Sequence, residues 1–255
     1  MSRSGIVLAG RTTVVTGAAS GIGRALAVHA AKEGMAVAAC DRDEAGLAAL
    51  DRELRAAGAP SAIQVLDVSD TAALASFAQA VAELPPIALL FANAGILRSG
   101  DVLGMPIAQW RQLVDVNLIG VIATLQAFVP TMRDRGERAQ VVVTGSTGSM
   151  IAAPGLAAYC ATKHALWPAV EALRQELADS PVGVSLLMPG AVSTHIFDAV
   201  DPDRAPPLDS ISPERVAAIA FSGALSDQPK ILTHPDYIAR AKERFSRTLD
   251  ELSNP

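Results

Sequence analysis

Cysteine and aromatic residues are scarce in this chain. Among 255 residues there are 2 cysteines, and aromatic side chains make up 4%. Two isolated cysteines, Cys40 and Cys160, are too few for a disulfide framework or a structural zinc site, so we interpret both as reduced, buried thiols. Tyr159 and Tyr237 are the two tyrosines. Because a phenol can act as an acid or a base, either tyrosine is a candidate for a chemical role.

The chain also lacks an excess of positive charge. It has 21 basic and 26 acidic residues, for a net charge of −5. Binding to a phosphate backbone requires a basic stripe, so we do not expect a nucleic acid partner. We find neither a run of about 18 apolar residues nor an N-terminal signal peptide. The expectation is a cytoplasmic protein with no membrane partner.

Half of the residues are apolar, which is typical of a globular protein with a large core. Short aliphatic runs alternate with longer alanine-rich segments of helical periodicity, the pattern of repeated βαβ units. This predicts an α/β fold in which a doubly wound, seven-stranded parallel sheet of Rossmann type is covered by helices on both faces. The absence of a linker predicts a single domain over residues 1–255.

The predicted strands cover residues 12–16, 35–40, 61–66, 87–92, 140–144, 182–188 and 230–233. The predicted helices cover residues 21–33, 43–57, 71–83, 106–134, 156–179, 212–225 and 235–250. Several prolines within residues 189–211 predict a loop, which we place on the substrate side. Residues 235–255 are predicted to hold a C-terminal helix.

A glycine-rich turn follows the first predicted strand, with Gly17, Gly21 and Gly23 leading into a helix. Glycines at these places let the backbone approach a pyrophosphate, whose charge is met by the free N–H groups of the helix. Glycine-rich turns are common at helix starts, but the position of this one in a βαβ unit favours dinucleotide binding.

The second predicted strand is followed by Asp41, at the distance where a carboxylate accepts hydrogen bonds from a ribose diol. A carboxylate there would repel the 2′-phosphate of NADP and therefore favours NAD. The alternative is that Asp41 caps the next helix, as Asp43 could do equally well. Arg42 keeps NADP open, because a guanidinium can accommodate a 2′-phosphate.

The third and fourth predicted strands end in Leu66-Asp67-Val68 and Ala92-Asn93-Ala94-Gly95. Ends of parallel strands line the crevice in which open α/β sheets bind ligands. We therefore expect Asp67 near an adenine and Asn93 bracing the loop beside a ribose. Asp70 is interpreted as a helix N-cap.

Tyr159 and Lys163 are four residues apart on a predicted helix and so share one face of it. An ammonium near a phenol favours the phenolate and is expected to lower the pKa of Tyr159 from about 10. Such a phenol can exchange a proton with a carbonyl or carbinol oxygen. Alone, a tyrosine is more often a packed aromatic residue.

The chain resembles the short-chain dehydrogenases/reductases over essentially its whole length. The resemblance lies in a set of motifs in order: Thr16-Gly17-xxx-Gly21-Ile22-Gly23, Asn93-Ala94-Gly95, Ser146, Tyr159-xxx-Lys163 and Pro189-Gly190. Each motif alone is a weak signal, and the argument depends on the set.

The resemblance implies a nicotinamide-dependent oxidoreductase that moves hydride between NAD(H) and a secondary alcohol or ketone. Tyr159 would be the general acid/base, Ser146 would hydrogen-bond the substrate oxygen, and Lys163 would bind ribose and lower the pKa of the tyrosine. Asn117 would complete a proton relay through a water. The implied cofactor contacts are Gly17, Ser20, Gly21, Ile22, Gly23, Asp41, Arg42, Asp67, Val68, Asn93, Ala94, Gly95, Tyr159, Lys163, Pro189, Gly190, Val192 and Thr194. Thr194 would hold the nicotinamide carboxamide.

The C-terminal end departs from many relatives, because a charged amphipathic helix follows the last strand. Relatives often form dimers or tetramers, so we expect a homo-oligomer, either a homodimer or a homotetramer. We assign Tyr237 in this tail to packing. His195 and His234 lack the spacing of metal ligands and are interpreted as pocket or surface residues.

The predicted substrate is a small hydrophobic or aromatic alcohol or ketone, because apolar residues flank the predicted site. Those residues are Met150, Ile151, Leu156, Ile196 and Phe197. A different class of function is a non-catalytic NAD(P) sensor or scaffold of the same fold. A sensor has no need of the four catalytic side chains together. A sugar-nucleotide epimerase is disfavoured because little chain follows Pro189.

Overall fold

A computed structural model describes residues 5–194, 196 and 209–253. The strands are β1 (Thr12–Thr16), β2 (Ala36–Asp41), β3 (Ser61–Val65), β4 (Ile87–Ala92), β5 (Ala139–Thr144), β6 (Val182–Met188) and β7 (Lys230–Leu232). The helices are α1 (Gly21–Lys32), α2 (Glu44–Ala56), α3 (Thr71–Val81), α4 (Ile107–Val114), α5 (Gly120–Asp134), α6 (Ala157–Glu176), α7 (Pro213–Leu225) and α8 (Tyr237–Ser253). His195, Phe197 and most of the predicted substrate-side loop lie outside the described residues.

The strands form one parallel sheet in the order β3-β2-β1-β4-β5-β6-β7. Every residue of β1 and β6 is buried, as expected for strands covered on both faces. From β1 the chain adds β2 and β3 on one side of the sheet, and from β4 it adds β5, β6 and β7 on the other side. The strand order therefore reverses between β1 and β4, and this place is the switch point of the topology. A crevice opens at such a point, beyond the carboxyl ends of the strands. The predicted fold class is confirmed.

Two apolar layers hold the sheet between its helices. Alternate residues of one strand serve opposite layers, because side chains along a strand point to opposite faces. Val14 belongs to the layer with Phe77 and Phe128, and Val15 belongs to the layer with Leu26 and Phe221. The two cysteines are free thiols, and both are buried, in agreement with the sequence interpretation.

The predicted helix over residues 106–134 is interrupted. A π-helical turn at Asp115–Ile119 separates α4 from α5. Contrary to the expectation from the sequence, the stretch Ile107–Asp134 is long and apolar enough to cross a membrane by length and composition. However, 56% of its most apolar window is buried inside the protein. A core helix passes the same test, so this stretch is weak evidence of a membrane span.

The C-terminal helix α8 docks beside the carboxyl end of the sheet. Nη1 of Arg244 donates a hydrogen bond to the carbonyl of Met150 at 2.6 Å and contacts Nε2 of His164 at 2.6 Å. Phe245 packs edge-on against Trp167 on α6, with ring centroids 6.3 Å apart. These contacts fix α8 over the segment that leads into α6.

Candidate active site

A cleft of about 910 Å³ lies at the carboxyl ends of the strands. This volume is in the range of sites that bind a cofactor or a small molecule. The cleft is lined by every sequence-predicted site residue except Asn117: Gly17, Ser20, Gly21, Ile22, Gly23, Asp41, Arg42, Asp67, Val68, Asn93, Ala94, Gly95, Ser146, Tyr159, Lys163, Pro189, Gly190, Val192 and Thr194. The apolar residues Ile151, Leu156 and Ile196 also line it, whereas Met150 is not part of the lining.

The glycine-rich turn needs glycine for steric reasons. Gly17 has a φ of +68°, and a Cβ there would lie 2.8 Å from Cα of Ala94. Gly21 has a φ of +51°, and its Cβ would lie 3.0 Å from Cγ2 of Thr194. A side chain at Gly23 would collide with the carbonyl oxygen of Gly17. The atoms around the turn therefore leave no room for a side chain at these three positions.

The N-terminus of α1 faces this turn. Its N-cap residue, Ser20, makes no side-chain capping hydrogen bond. The first N–H groups of a helix have no partner within it, and together with the helix dipole they favour an anion. The arrangement fits the pyrophosphate of a dinucleotide.

Asn93 joins three segments at the floor of the cleft. Its Nδ2 donates to the carbonyl of Thr16 at 3.1 Å, and its Oδ1 accepts from Oγ1 of Thr144 at 3.1 Å. Oγ1 of Thr16 accepts the backbone N–H groups of Asn93 and Ala94, each at 3.0 Å. Asn93 thus braces the glycine-rich turn, and its side chain is occupied by these contacts within the protein; the expected place beside a ribose stays a prediction.

Asp41 organises the loops around the end of β2. Its Oδ2 accepts the N–H of Ala19 at 3.0 Å, and its Oδ1 accepts the N–H of Asp43 at 3.0 Å. The capping role belongs to Asp43, whose side chain accepts the N–H of Gly46 at the start of α2. Each oxygen of Asp41 keeps a second acceptor position, so the carboxylate remains able to bind hydroxyl groups.

Asp67 is tied to its own loop. It accepts the N–H of Ser69 at 2.9 Å and the Ser69 hydroxyl at 2.7 Å. Partial burial alone would raise the pKa of Asp67, but these hydrogen bonds and the Arg42 charge outweigh it and lower the pKa. Asp70 caps α3 by accepting two backbone N–H groups, which confirms its predicted role.

Ser146 and Tyr159 meet on the opposite wall of the cleft. The hydroxyl of Ser146 accepts the N–H of Gly148 at 3.0 Å, and Oγ of Ser149 donates to the carbonyl of Lys163 at 2.8 Å. These bonds hold the turn after β5 against α6. A Cβ at Gly148 would lie 3.4 Å from Oγ of Ser146 and 3.6 Å from a ring carbon of Tyr159, so these two side chains are neighbours on the wall of the cleft.

The structure corrects the expected pKa of Tyr159. Burial raises the pKa of this phenol to about 12, although the hydrogen bond with Ser146 acts in the opposite sense. Nζ of Lys163 is 5.8 Å from the centre of the Tyr159 ring, and burial outweighs the effect expected of its charge. The pKa rises because a buried phenolate loses the hydration that stabilises its charge.

Lys163 is itself buried, with 2% of its surface exposed. Its Nζ donates to the carbonyl of Thr144 at 2.8 Å. Burial lowers the pKa of this ammonium to about 8, because the charged form loses hydration. At neutral pH the group still carries its charge, at the wall of the cleft next to Gly95.

Asn117 lies behind the cleft and is completely buried. Its Oδ1 accepts the N–H of Ile96 at 2.8 Å, and its Nδ2 donates to the carbonyl of Ile96 at 2.9 Å and to Oγ1 of Thr162 at 3.2 Å. It therefore fastens the loop after β4 to α6 from within the π-helical turn, a feature often found at functional sites. Its part in a proton relay stays a prediction.

A family model described as short chain dehydrogenase matches residues 11–205. The chain belongs to the short-chain dehydrogenase family. Its relatives include the 1-deoxy-11-beta-hydroxypentalenate dehydrogenase of Streptomyces avermitilis, which is 35% identical over 92% of this chain and 88% of the relative. The protein of that name from Streptomyces exfoliatus is 33% identical over 96% of this chain and 90% of the relative.

Solved structures of short-chain dehydrogenases share this fold. One from Burkholderia phymatum in complex with NAD has a TM-score of 0.89 and 31% identity, covering 98% of this chain and 97% of that chain. An alcohol dehydrogenase from Thermococcus sibiricus complexed with 5-hydroxy-NADP has a TM-score of 0.78 and 26% identity, covering 87% of this chain and 95% of that chain. The short-chain dehydrogenase family uses a nicotinamide cofactor. One of these two structures holds NAD and the other holds 5-hydroxy-NADP.

The cleft residues of this short-chain dehydrogenase that were missed from the sequence include Arg98, Tyr237 and Arg240. Tyr237 packs against the core, as predicted, but it also lines the cleft. Arg98 follows the Asn93-Ala94-Gly95 motif in the chain, but it belongs to no sequence motif that would indicate a place in the site. Arg240 is one charged residue among many on an amphipathic helix, so no local signal distinguishes it.

His234 is neither a pocket nor a surface residue. It is 7% exposed, and its Nδ1 accepts the N–H of Gly190 at 3.1 Å. The interaction fixes the Pro189-Gly190 segment from β7. Its Nε2 has no hydrogen-bond partner among the described residues. Within the same described residues, no group of three or more potential metal ligands is present.

Proposed function

We propose that this short-chain dehydrogenase transfers a hydride between NAD(H) and a secondary alcohol or ketone with a hydrophobic or aromatic body. The proposal is carried by the convergence of Ser146, Tyr159 and Lys163 on the wall of a cleft whose other end is the glycine-rich turn. When bound, a nicotinamide cofactor supplies or accepts the hydride.

Tyr159 is the group that moves the proton. With a pKa of about 12, it is protonated at neutral pH and donates to a carbonyl oxygen in the direction of reduction. In the direction of oxidation it must lose its proton to take one from the carbinol, and the Lys163 ammonium, 5.8 Å from its ring centre, favours the resulting anion. Ser146 holds the substrate oxygen through its hydroxyl.

The remaining residues position these groups. Asn117 keeps the loop after β4 against α6 and, by the family resemblance, would complete a proton relay through a water. Thr194, beside the glycine-rich turn, would hold the nicotinamide carboxamide. Much of the rate would come from orienting the two reactants around one carbon.

We favour NAD over NADP because the Asp41 carboxylate lies in the cleft at the end of β2. A negative side chain there opposes a 2′-phosphate, although the neighbouring Arg42 also lines the cleft and carries the opposite charge. We expect a small-molecule substrate, a homodimer or homotetramer, and a cytoplasmic location.

The test is a screen of alcohols and ketones with both cofactors, followed by absorbance of the reduced nicotinamide. Turnover that depends on Tyr159 supports the proposal. Tight NAD binding without turnover across a broad panel would instead favour a sensor or scaffold. Dissociation constants for NAD and NADP decide the cofactor, and equal or reversed affinities would contradict the charge argument.

A further inference from the structure

Besides Arg42, the arginines Arg98 and Arg240 line the cleft. Neither Arg98, in the loop after β4, nor Arg240, in the first turn of α8, forms an ion pair with any residue that the structure describes. Asp209 also lines the cleft, and it pairs with neither of them. Arg98 is half-buried and Arg240 is exposed, so both guanidinium groups are open to an anion that enters the cleft.

Arg98 belongs to the wall around the reacting tyrosine. The N–H of Gly100 donates to the carbonyl of Gly155 at 2.8 Å, which sets this loop beside the segment leading into α6. Leu97 packs in the apolar cluster that contains Tyr159. The half-buried Arg98 uses one N–H for the carbonyl of Leu97, at 3.2 Å, and so keeps most of its donors.

Arg240 is held in place by an aromatic ring. Its guanidinium lies 5.3 Å from the centre of the Tyr237 ring. Stacking on an aromatic face orients a guanidinium and leaves its N–H edges available. No hydrogen bond from the Arg240 side chain is present among the described residues. It is therefore the better prepared of the two to bind an anion through two parallel bonds.

Part of the surface of the cleft is apolar. It is formed by residues from the loop after β4 and from the segment before α6: Ile96, Leu97, Ile151, Ala153 and Leu156. The cofactor end has its own means of meeting negative charge, in the glycine-rich turn, the N-terminus of α1 and Arg42. Arg98 and Arg240, for which the described residues offer no ion-pair partner, are thus available for a negative charge on the other ligand.

We infer that the substrate is a hydrophobic hydroxy acid or keto acid whose carboxylate binds Arg240, with Arg98 adding positive charge to the same cleft. This inference rests on the proposed function and narrows its substrate class. The carbinol or carbonyl carbon faces Tyr159, and the carboxylate sits at a distance from it, so Arg240 determines specificity without taking part in the chemical step.

The experiment compares acids with their methyl esters. The ketone probes are 4-acetylbenzoate and methyl 4-acetylbenzoate, extended to larger aromatic and alicyclic keto acids paired with their esters, each with NADH and NADPH. We expect the wild type to prefer the acid of a pair by about 10-fold or more in kcat/KM, as one charge-assisted hydrogen bond supplies. Arg240→Gln should remove that preference through KM, leaving the ester unchanged, and Arg98→Gln should reduce it less.

Arg111→Gln is the matched control, because Arg111 is exposed on α4 and does not line the cleft. It should leave both members of a pair unaffected. An equal or better rate with esters, unchanged by Arg240→Gln, would overturn the inference and leave the proposed function standing. So would a loss of NAD affinity in Arg240→Gln, since the guanidinium would then serve the cofactor.

A binding measurement separates this inference from the proposed function. Titration calorimetry of 4-acetylbenzoate and its larger analogues into the NAD-loaded wild type and Arg240→Gln needs no turnover. Binding of acids that is at least about 10-fold weaker in the variant, with no turnover of any compound, would support the inference while contradicting the proposed activity. Failure of every acid to bind or react would overturn the inference.

Discussion

The two ends of the cleft are built in different ways. At the cofactor end, backbone groups and glycines form the surface, and the polar side chains there, such as Asn93 and Asp41, mostly hold loops together. At the end that we propose for the substrate, side chains from distant segments form the surface, among them Tyr159, Tyr237 and Arg240, which all line the cleft. A backbone-built site tolerates little change in shape, whereas a side-chain-built site can change its specificity while the fold stays the same.

Replacement of Tyr159 by phenylalanine should have the largest effect, and only at the substrate end. Removing the proton donor is expected to lower kcat by about 1,000-fold, within the range of general acid catalysis. The ring stays packed, so the dissociation constant for NAD should not change. Turnover measured on a substrate found in the screen checks this, and undiminished turnover would refute the mechanism.

Gly17→Ala should act at the other end of the cleft. Its Cβ would lie 2.8 Å from Cα of Ala94, in a residue with a φ of +68°, so the turn must shift. We expect NAD affinity to fall by about 100-fold, since the backbone can no longer approach the pyrophosphate.

Gly136→Ala is the matched control for that change. Gly136 has a φ of +70°, and nothing lies within 4 Å of its Cβ position. This variant should lose about 1 kcal/mol of stability from the strained φ and keep its NAD affinity. Equal losses of NAD affinity in both variants would show that backbone strain, and not the close approach, matters.

Lys163 lies between the two ends, and its burial predicts a pH effect on stability. The unfolded chain keeps the lysine proton up to pH 10.5, whereas the folded protein releases it near pH 8. Between these values the unfolded state binds more protons, so this residue makes stability rise with pH. From pH 7.5 to 9.5 the wild type should gain about 2 kcal/mol relative to Lys163→Met.

Urea unfolding of both proteins at the two pH values measures that difference. Burial raises the pKa of both Cys40 and Cys160, which makes stability fall with pH in the same interval. The comparison with Lys163→Met cancels their contribution, because the variant retains both thiols. Identical pH slopes would mean that the Lys163 ammonium is not destabilised by burial.

Asp41→Asn should have the smallest effect, confined to the choice of cofactor. Removing the negative charge is expected to shift the ratio of NAD to NADP affinity toward NADP by about 10-fold, because repulsion of the 2′-phosphate is lost. The amide oxygen retains only one of the two loop contacts that the carboxylate makes. Dissociation constants for both cofactors test this, and an unchanged ratio would remove Asp41 as the determinant of preference.

The sequence predicted the seven strands, because the alternation of aliphatic runs and helical segments is a local pattern. It also predicted the cofactor end, since Gly17, Gly21 and Gly23 lie within one turn and their role depends on backbone shape. The π-helical turn at Asp115–Ile119 was not predicted, because the helical periodicity runs through it.

By itself, then, the sequence determined the sheet, the glycine-rich turn and the four-residue spacing of Tyr159 and Lys163, all of which depend on neighbours along the chain. Only the tertiary structure decided that burial raises the pKa of Tyr159 and that Arg240 lines the same cleft. Desolvation depends on everything packed around a group. The position of α8 depends on β7 pairing with β6, a contact between segments far apart in the chain.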